Sequence, residues 1–356
     1  MDWVAGKPGS EKEVPIGAKM TGGPNALGFD YFYGFTHARN IGTIIEQDQV
    51  VAHVAPVANQ PLMAKKVVEW LDQRKASEPF FLYFPVGIPH EPIVPSDEFI
   101  GKSGAQDLVK KDPKYGDWLF EGDAFLGRIL EALERNHLAE NTLIIVTSDN
   151  GAEHRIYEPL RESKRSIYEG GHRVPFIMRW PGKVKPGSVN DHTVCLNDLM
   201  ATAAEITGTK VPAGAGEDSV SLVQELLGTA KDGVREATIH QSAAGDLALR
   251  QGPWKLIFHK DGRRELFNLQ IDLSEKTDVG AANPEITQKL TALMQRYIAE
   301  GRSTVGAAQK NDFALSIGAG ETKAKVKKKD PKAAAVMKST AERAREMALA
   351  ADASFD

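Results

Sequence analysis

Cysteine is nearly absent: Cys195 is the single one in 356 residues, which excludes an internal disulfide framework. Also missing is an apolar run of the ~20 residues that a membrane-crossing helix needs. The opening residues carry no signal-peptide pattern, and the compartment is left open. Positive charge is not in excess either. The balance of 44 Lys and Arg against 48 Asp and Glu gives −4, which argues against the basic surface that a nucleic-acid partner requires. What is present is 42% hydrophobic content, enough for a large core and for more than one structural unit.

Three apolar runs end in chemically loaded loops. Leu143-Ile144-Ile145-Val146-Thr147 leads into Ser148-Asp149-Asn150-Gly151. A β-branched run of this length reads as a buried parallel strand, so the Asp-Asn-Gly turn is expected at a sheet edge where α/β folds collect ligands. Asp149 and Asn150 are two hard oxygen donors suited to Ca²⁺ or Mg²⁺, although the same tripeptide is ordinary turn chemistry. Phe80-Phe81-Leu82-Tyr83-Phe84 runs into a Pro-rich loop that carries His90, and Phe176-Ile177-Met178-Arg179-Trp180 follows the stretch Glu162–Pro175 that carries Lys164. Three such strands in one parallel sheet would aim a carboxylate, an amide, an imidazole and an ammonium at one edge. That set suits a small, strongly anionic group, with Lys164 neutralising its oxygens and His90 donating a hydrogen bond or a proton.

Together with Gly28-Phe29-Asp30-Tyr31-Phe32-Tyr33-Gly34, the segments Pro89-His90-Glu91-Pro92, Thr147–Gly151 and Lys164–Pro175 resemble, in order and spacing, the sulfatases of the alkaline phosphatase superfamily, the arylsulfatase-like enzymes among them. The resemblance implies an α/β fold, an alkaline-phosphatase-like mixed sheet flanked by helices, plus a small C-terminal antiparallel sheet-and-helix subdomain. It implies Asp149 and Asn150 as ligands of a catalytic Ca²⁺, with Mg²⁺ the weaker candidate. His90 and Lys164 would contact the sulfate and its bridging oxygen. The implied substrate is a sulfated small molecule or glycan, with no nucleic acid and no membrane span. Asn150 separates this pattern from phosphatase relatives, which place a zinc-binding histidine there. Enzymes of this kind are commonly exported, so the parent protein is expected in the periplasm or outside the cell.

The resemblance also exposes a gap. The family's nucleophile is formylglycine, made from the Cys or Ser of a Cys/Ser-x-Pro/Ala-x-Arg motif that precedes the Gly-Phe-Asp signature, and no such motif lies there. Cys195, in Cys195-Leu196-Asn197-Asp198-Leu199, lacks the motif's Pro/Ala and Arg and reads as core filler. Ser339-Thr340-Ala341-Glu342-Arg343 fits loosely but sits in a charged tail. The paired N-terminal aspartates and the Gly-Lys-Trp-His-like motif of the family are absent as well. The expectation is a chain that begins inside a sulfatase, at an internal methionine, and is inactive alone. Three readings stay open: a sulfatase, a phosphomonoesterase or phosphodiesterase of the same superfamily, and a non-catalytic segment that binds anions.

Organisation is legible along the chain. Pro61 is expected to open a helix through about Arg74, with Met63, Val67, Trp70 and Leu71 on one face, and a second helix should run from Tyr115 to His137. Asp123 within it reads as a buried hydrogen-bonding residue. Past Gly228, Leu247–Arg250, Trp254–His259, an Asp261-Gly262 turn and Glu265–Leu269 read as antiparallel hairpins closed by a helix over Pro284–Ala299. Expected domains are 1–231 (catalytic), 232–301 (C-terminal subdomain) and 302–356 (basic tail). From Glu321 to Glu346 nine Lys/Arg face four Asp/Glu, a local excess of +5, read as a solvated helix or disorder. His154 is a candidate substrate contact. His37 and Arg39 are weaker pocket candidates. His172 is assigned a structural or rim role, and Arg173 the task of pinning its loop.

Overall fold

The computed structural model describes residues 2–3, 14–37, 41–104, 114–153, 155, 157–315 and 317. Expectations for Met1, Val4–Lys7, Arg39, His154 and most of the basic tail, Ser339–Arg343 included, lie outside the described residues. The chain divides into two compact units, one holding the described residues up to Glu140 and the other those from Asn141 onward.

In the first unit, strands β1 (Tyr33–Gly34), β2 (Thr43–Glu46) and β3 (Gln49–His53) form an antiparallel meander. Two helices follow, α1 (Pro56–Leu71) and α2 (Tyr115–Arg135). Helix α1 starts five residues before Pro61, because Pro56 already supplies the first-turn proline, and it buries Met63, Ala64, Val67 and Leu71. Helix α2 buries Trp118 and Phe125, which cluster with Ala64, Ile88 and Phe99. Asp123 is exposed, which corrects the reading of it as buried. The helical phase explains why. Asp117 and Glu121, four residues apart, share the buried face, whereas Asp123 points some 200° away from Glu121. Those two buried carboxylates take the hydrogen-bonding role instead: Glu121 accepts from the Ser96 amide at 2.9 Å and Asp117 from the Gly101 amide at 2.9 Å.

Phe80–Phe84 forms no strand. Phe80 packs edge-on against Trp70 and Phe81 lies near Phe29, yet Phe81 and Tyr83 stay 74% and 67% exposed. Apolar alternation makes a strand only where a neighbouring backbone offers a ladder, and none of the described residues pairs with this run.

In the second unit, β4 (Ile144–Thr147) and β5 (Phe176–Arg179) pair antiparallel, with Val146 opposite Ile177. The expected parallel arrangement of these runs is therefore corrected. The intervening loop closes on itself: the Gly151 amide donates to the Gly171 carbonyl at 3.0 Å, so β5 re-enters beside β4 in the opposite direction. A helix α3 spans Asp198–Thr207.

The C-terminal sheet is a four-stranded antiparallel meander of β6 (Thr238–Gln241), β7 (Leu247–Gln251), β8 (Trp254–Phe258) and β9 (Arg264–Asn268). Strand β8 shows how alternation uses both faces. Leu256 and Phe258 pack with Leu290, Leu293, Met294 and Tyr297 of helix α4 (Pro284–Glu300). Ile257, with Ala248 and Phe267, turns the other way and packs against Ile167 and Tyr168. The subdomain is thus stapled to the loop that carries Lys164.

Candidate active site

The Asp149-Asn150 turn is held by glycine contacts. A Cβ on Gly151 would lie 1.8 Å from the Gly170 carbonyl oxygen. A Cβ on Gly170 would lie 2.2 Å from the Glu162 oxygen, and one on Gly171 2.2 Å from the Ser166 oxygen. Only glycine lets three backbone segments approach this closely. The Lys164 amide then donates to the Ala152 carbonyl at 3.1 Å, fixing the Lys164 loop beside the turn. Asp149 is exposed and Asn150 half-buried, with Ser148 Oγ donating to the Asn150 carbonyl at 3.1 Å. Lys164 is half-buried, and its ammonium has no ion-pair partner among the described residues.

His90 belongs to the first unit. Its loop is anchored by both helices: Gln60 Oε1 of α1 accepts from the Gly87 amide at 2.9 Å, and Trp118 Nε1 of α2 donates to the His90 carbonyl at 3.4 Å. His90 Nδ1 lies 2.6 Å from the Glu91 carbonyl. A carbonyl only accepts, so Nδ1 carries a proton and Nε2 is left for other partners. Asp149, Asn150 and the Lys164 backbone lie close together in the second unit, His37 is exposed in the first, and His154 is outside the described residues.

Two oxygen donors at Asp149 and Asn150 fit a hard cation as part of a shell. No group of three His, Cys, Asp or Glu side chains gathers to hold a metal among the described residues. The turn therefore suits Ca²⁺ as two ligands of a site rather than as the whole of it.

Behind the turn lies a buried charge cluster that sequence reasoning missed. Glu169, in the short helical turn Glu169–His172, is 1% exposed and meets Lys255 Nζ at 3.0 Å, His172 Nε2 at 3.1 Å and an Arg173 guanidinium nitrogen at 3.2 Å. Lys255, fully buried on β8, also meets Glu275 at 2.8 Å, and Glu275 accepts from the Glu169 amide at 2.6 Å. Burial alone would push the Glu169 carboxyl up. The His172 bond and the Lys255 charge outweigh it and hold Glu169 well below the usual carboxylate range. Glu275 goes the other way, because burial outweighs the Lys255 charge. His172 stacks on His240 at 3.8 Å between ring centres. Burial, with the charges of His172 and Lys255, pushes His240 well below the usual imidazole range. Arg173 pins the loop through a carboxylate, as expected. The sequence held one signal for this cluster, a lysine set inside the apolar run Trp254–Phe258.

Cys195 is half-buried, with Sγ 3.4 Å from Thr238 Oγ1, and burial raises its thiol pKa. A thiol kept protonated is a poor nucleophile, in keeping with a packing role.

The second unit thus sets a backbone turn with two oxygen donors, and a loop whose lysine has no ion-pair partner among the described residues, beside a four-stranded antiparallel sheet with one helix. The sulfatase family model matches residues 15–209, and the chain belongs to the sulfatase family. A second model, described as N-sulphoglucosamine sulphohydrolase, C-terminal, matches residues 152–303. Among curated relatives, a Bacteroides thetaiotaomicron N-acetylgalactosamine-6-O-sulfatase is 33% identical over 249 residues, covering 61% of this chain and 47% of that protein. A Formosa agariphila sulfatase is 30% identical over 282 residues, 67% of this chain and 50% of that one. The human N-acetylgalactosamine-6-sulfatase is 32% identical over 170 residues, 46% and 31%. The chain thus spans about half the length of the first two.

A solved structure from work on glycosaminoglycan metabolism by Bacteroides thetaiotaomicron superimposes with a TM-score of 0.70 at 25% identity, covering 79% of this chain and 76% of that one. Ps i-CgsB, solved with a neocarrahexaose, gives 0.70 at 24% identity over 81% and 70%. The α/β class with a small C-terminal sheet-and-helix subdomain, expected from the sequence, is the fold shared with these structures. No helix among the described residues is long and apolar enough to cross a membrane.

Proposed function

We propose that this chain carries the sulfate-recognising part of a sulfuric ester hydrolase that cleaves an aryl or carbohydrate sulfate monoester. The observation that carries the reading is the Lys164 amide bond to Ala152, which holds the Lys164 backbone beside the Asp149-Asn150 turn, with no ion-pair partner for its ammonium among the described residues. The names of the relatives, two of them N-acetylgalactosamine-6-sulfatases, support a carbohydrate sulfate. Asp149 and Asn150 would hold Ca²⁺, with Mg²⁺ second. Bound there, the cation supplies charge neutralisation to sulfate oxygens. Lys164 places its charge on the sulfate and its bridging oxygen. His90, with Nδ1 committed to the Glu91 carbonyl, offers Nε2 to the leaving oxygen and delivers a proton from the imidazolium form. His154 is a further candidate for substrate contact.

The formylglycine that attacks sulfur in this family has no Cys/Ser-x-Pro/Ala-x-Arg source ahead of Gly28 in this chain. The 356-residue protein is expected to show no aryl sulfatase turnover, since positioning does not replace a covalent nucleophile. That absence favours, as a second reading for the chain by itself, an anion-binding role without catalysis. A phosphoesterase is the weaker reading, because Asn150 stands where such enzymes place a zinc-binding nitrogen. In a longer chain that includes the motif and is matured to formylglycine, Lys164→Ala should lower kcat/KM for an aryl sulfate by on the order of 10²-fold. A preference of the unmutated longer chain for the matched aryl phosphate with Zn²⁺ would overturn the sulfatase reading.

A further inference from the structure

Between the Lys164 loop and the C-terminal sheet lies an open cleft of about 580 Å³, lined by Lys164, Arg165, Ser242, Asp246, His259 and Arg263 among others. Its two walls are fixed to each other. The Ala243 amide, in the β6–β7 turn, donates to the Arg165 carbonyl at 3.0 Å, and Tyr168 Oη donates to Glu265 at 2.6 Å. His259 and Arg263 face each other at the end of the β8–β9 hairpin, where the His259 amide donates to the Arg263 carbonyl at 3.0 Å. The carboxylates at the cleft are already engaged. Asp246 accepts from the Lys260 amide at 3.1 Å, and Glu162 is bonded to Ser166 Oγ. Two cations are not so bound. Lys164 has no partner among the described residues, and Arg263 is paired only with its turn neighbour Asp261 at 2.8 Å, with both side chains more than half exposed. An exposed pair of that kind is worth at most about 1 kcal/mol, so the guanidinium can turn to a ligand at little cost.

We infer that this cleft is a subsite for a second anionic group on the sulfated sugar bound at Lys164, and that Arg263 is the residue that selects for it. The inference rests on the proposed sulfatase reading and adds to it a substrate class, polyanionic glycans. A guanidinium takes a planar carboxylate or a sulfate through paired donors, so the second group is either a uronate or another sulfate.

Calorimetric titration of the 356-residue chain with Ca²⁺ tests this. Three ligands are compared: a hexosamine 6-sulfate, the same sugar with a second sulfate, and a disaccharide that joins the 6-sulfated hexosamine to a uronate. At least one dianionic ligand should bind about fivefold tighter than the monosulfate, and which one does identifies the second group. Arg263→Gln should erase that preference and leave monosulfate binding unchanged, whereas Lys164→Ala should weaken all three ligands. Equal affinity for all three ligands, or a preference that survives Arg263→Gln while Lys164→Ala still weakens binding, overturns the subsite and leaves the sulfatase reading standing. Absence of binding by every sulfated sugar overturns both.

Discussion

Lys255→Met is expected to destabilise the second unit by about 3–5 kcal/mol, the usual cost of removing one partner from a buried ion pair. Lys255 is fully buried between Glu169 and Glu275, at 3.0 and 2.8 Å. Without its charge Glu275 is left in a dry interior with no ion-pair partner among the described residues, and Glu169 keeps only His172 and the two arginines, Arg173 and Arg250. Methionine keeps most of the volume, so packing loss is small and the effect is electrostatic. Denaturant unfolding of the variant and the parent measures it. Adding Glu275→Leu to Lys255→Met should recover part of the loss, because the stranded carboxylate is gone. A loss below about 1 kcal/mol for the single variant would show that the cluster is not a structural hub.

Gly151→Ala is the second large effect. Its new Cβ would meet the Gly170 carbonyl oxygen at 1.8 Å, a backbone atom that no rotamer change can move away. The Asp149-Asn150 turn must separate from the Glu169–His172 turn, and the bond from the Gly151 amide to the Gly171 carbonyl goes with it. Overpacking of a tight interior site costs typically 1–3 kcal/mol and occasionally more; a contact this short with backbone belongs at or above the top of that range. Thermal unfolding should show a clear drop in Tm, and Ca²⁺-dependent binding of a sulfate ester should be lost with it. Gly127→Ala is the control: it has open space around its Cβ position and lies in the middle of α2, so it should leave Tm unchanged or raise it. Equal behaviour of the two variants would contradict the close-approach account.

What could be read from the sequence was what depends on neighbours along the chain. The 3.6 spacing of Met63, Val67 and Leu71 gave α1 its buried face, and the alternation from Leu247 to Leu269 gave the C-terminal hairpins. The short strand Thr238–Gln241 escaped because its Thr, His and Gln carry no strong apolar period. Pairing and depth are non-local, and there the reading failed. Phe80–Phe84 has strand composition but no ladder, β4 and β5 run antiparallel because Gly151 and Gly171 close the loop between them, and Asp123 sits on the wet side of α2. The motif residues around Asp149 and Lys164 were visible as motifs. The cluster that supports them was not, since Glu169, Lys255 and Glu275 meet across as many as 106 residues of chain.

The most direct test of the central claim is a crystal structure of this chain soaked with Ca²⁺ and an unhydrolysed sulfate monoester. The account predicts one sulfate with Lys164 Nζ within about 3 Å of its oxygens, and oxygens of Asp149 and Asn150 about 2.3–2.6 Å from the cation beside it. A sulfate bound away from Lys164, or a cation that leaves Asp149 and Asn150 untouched, would contradict it.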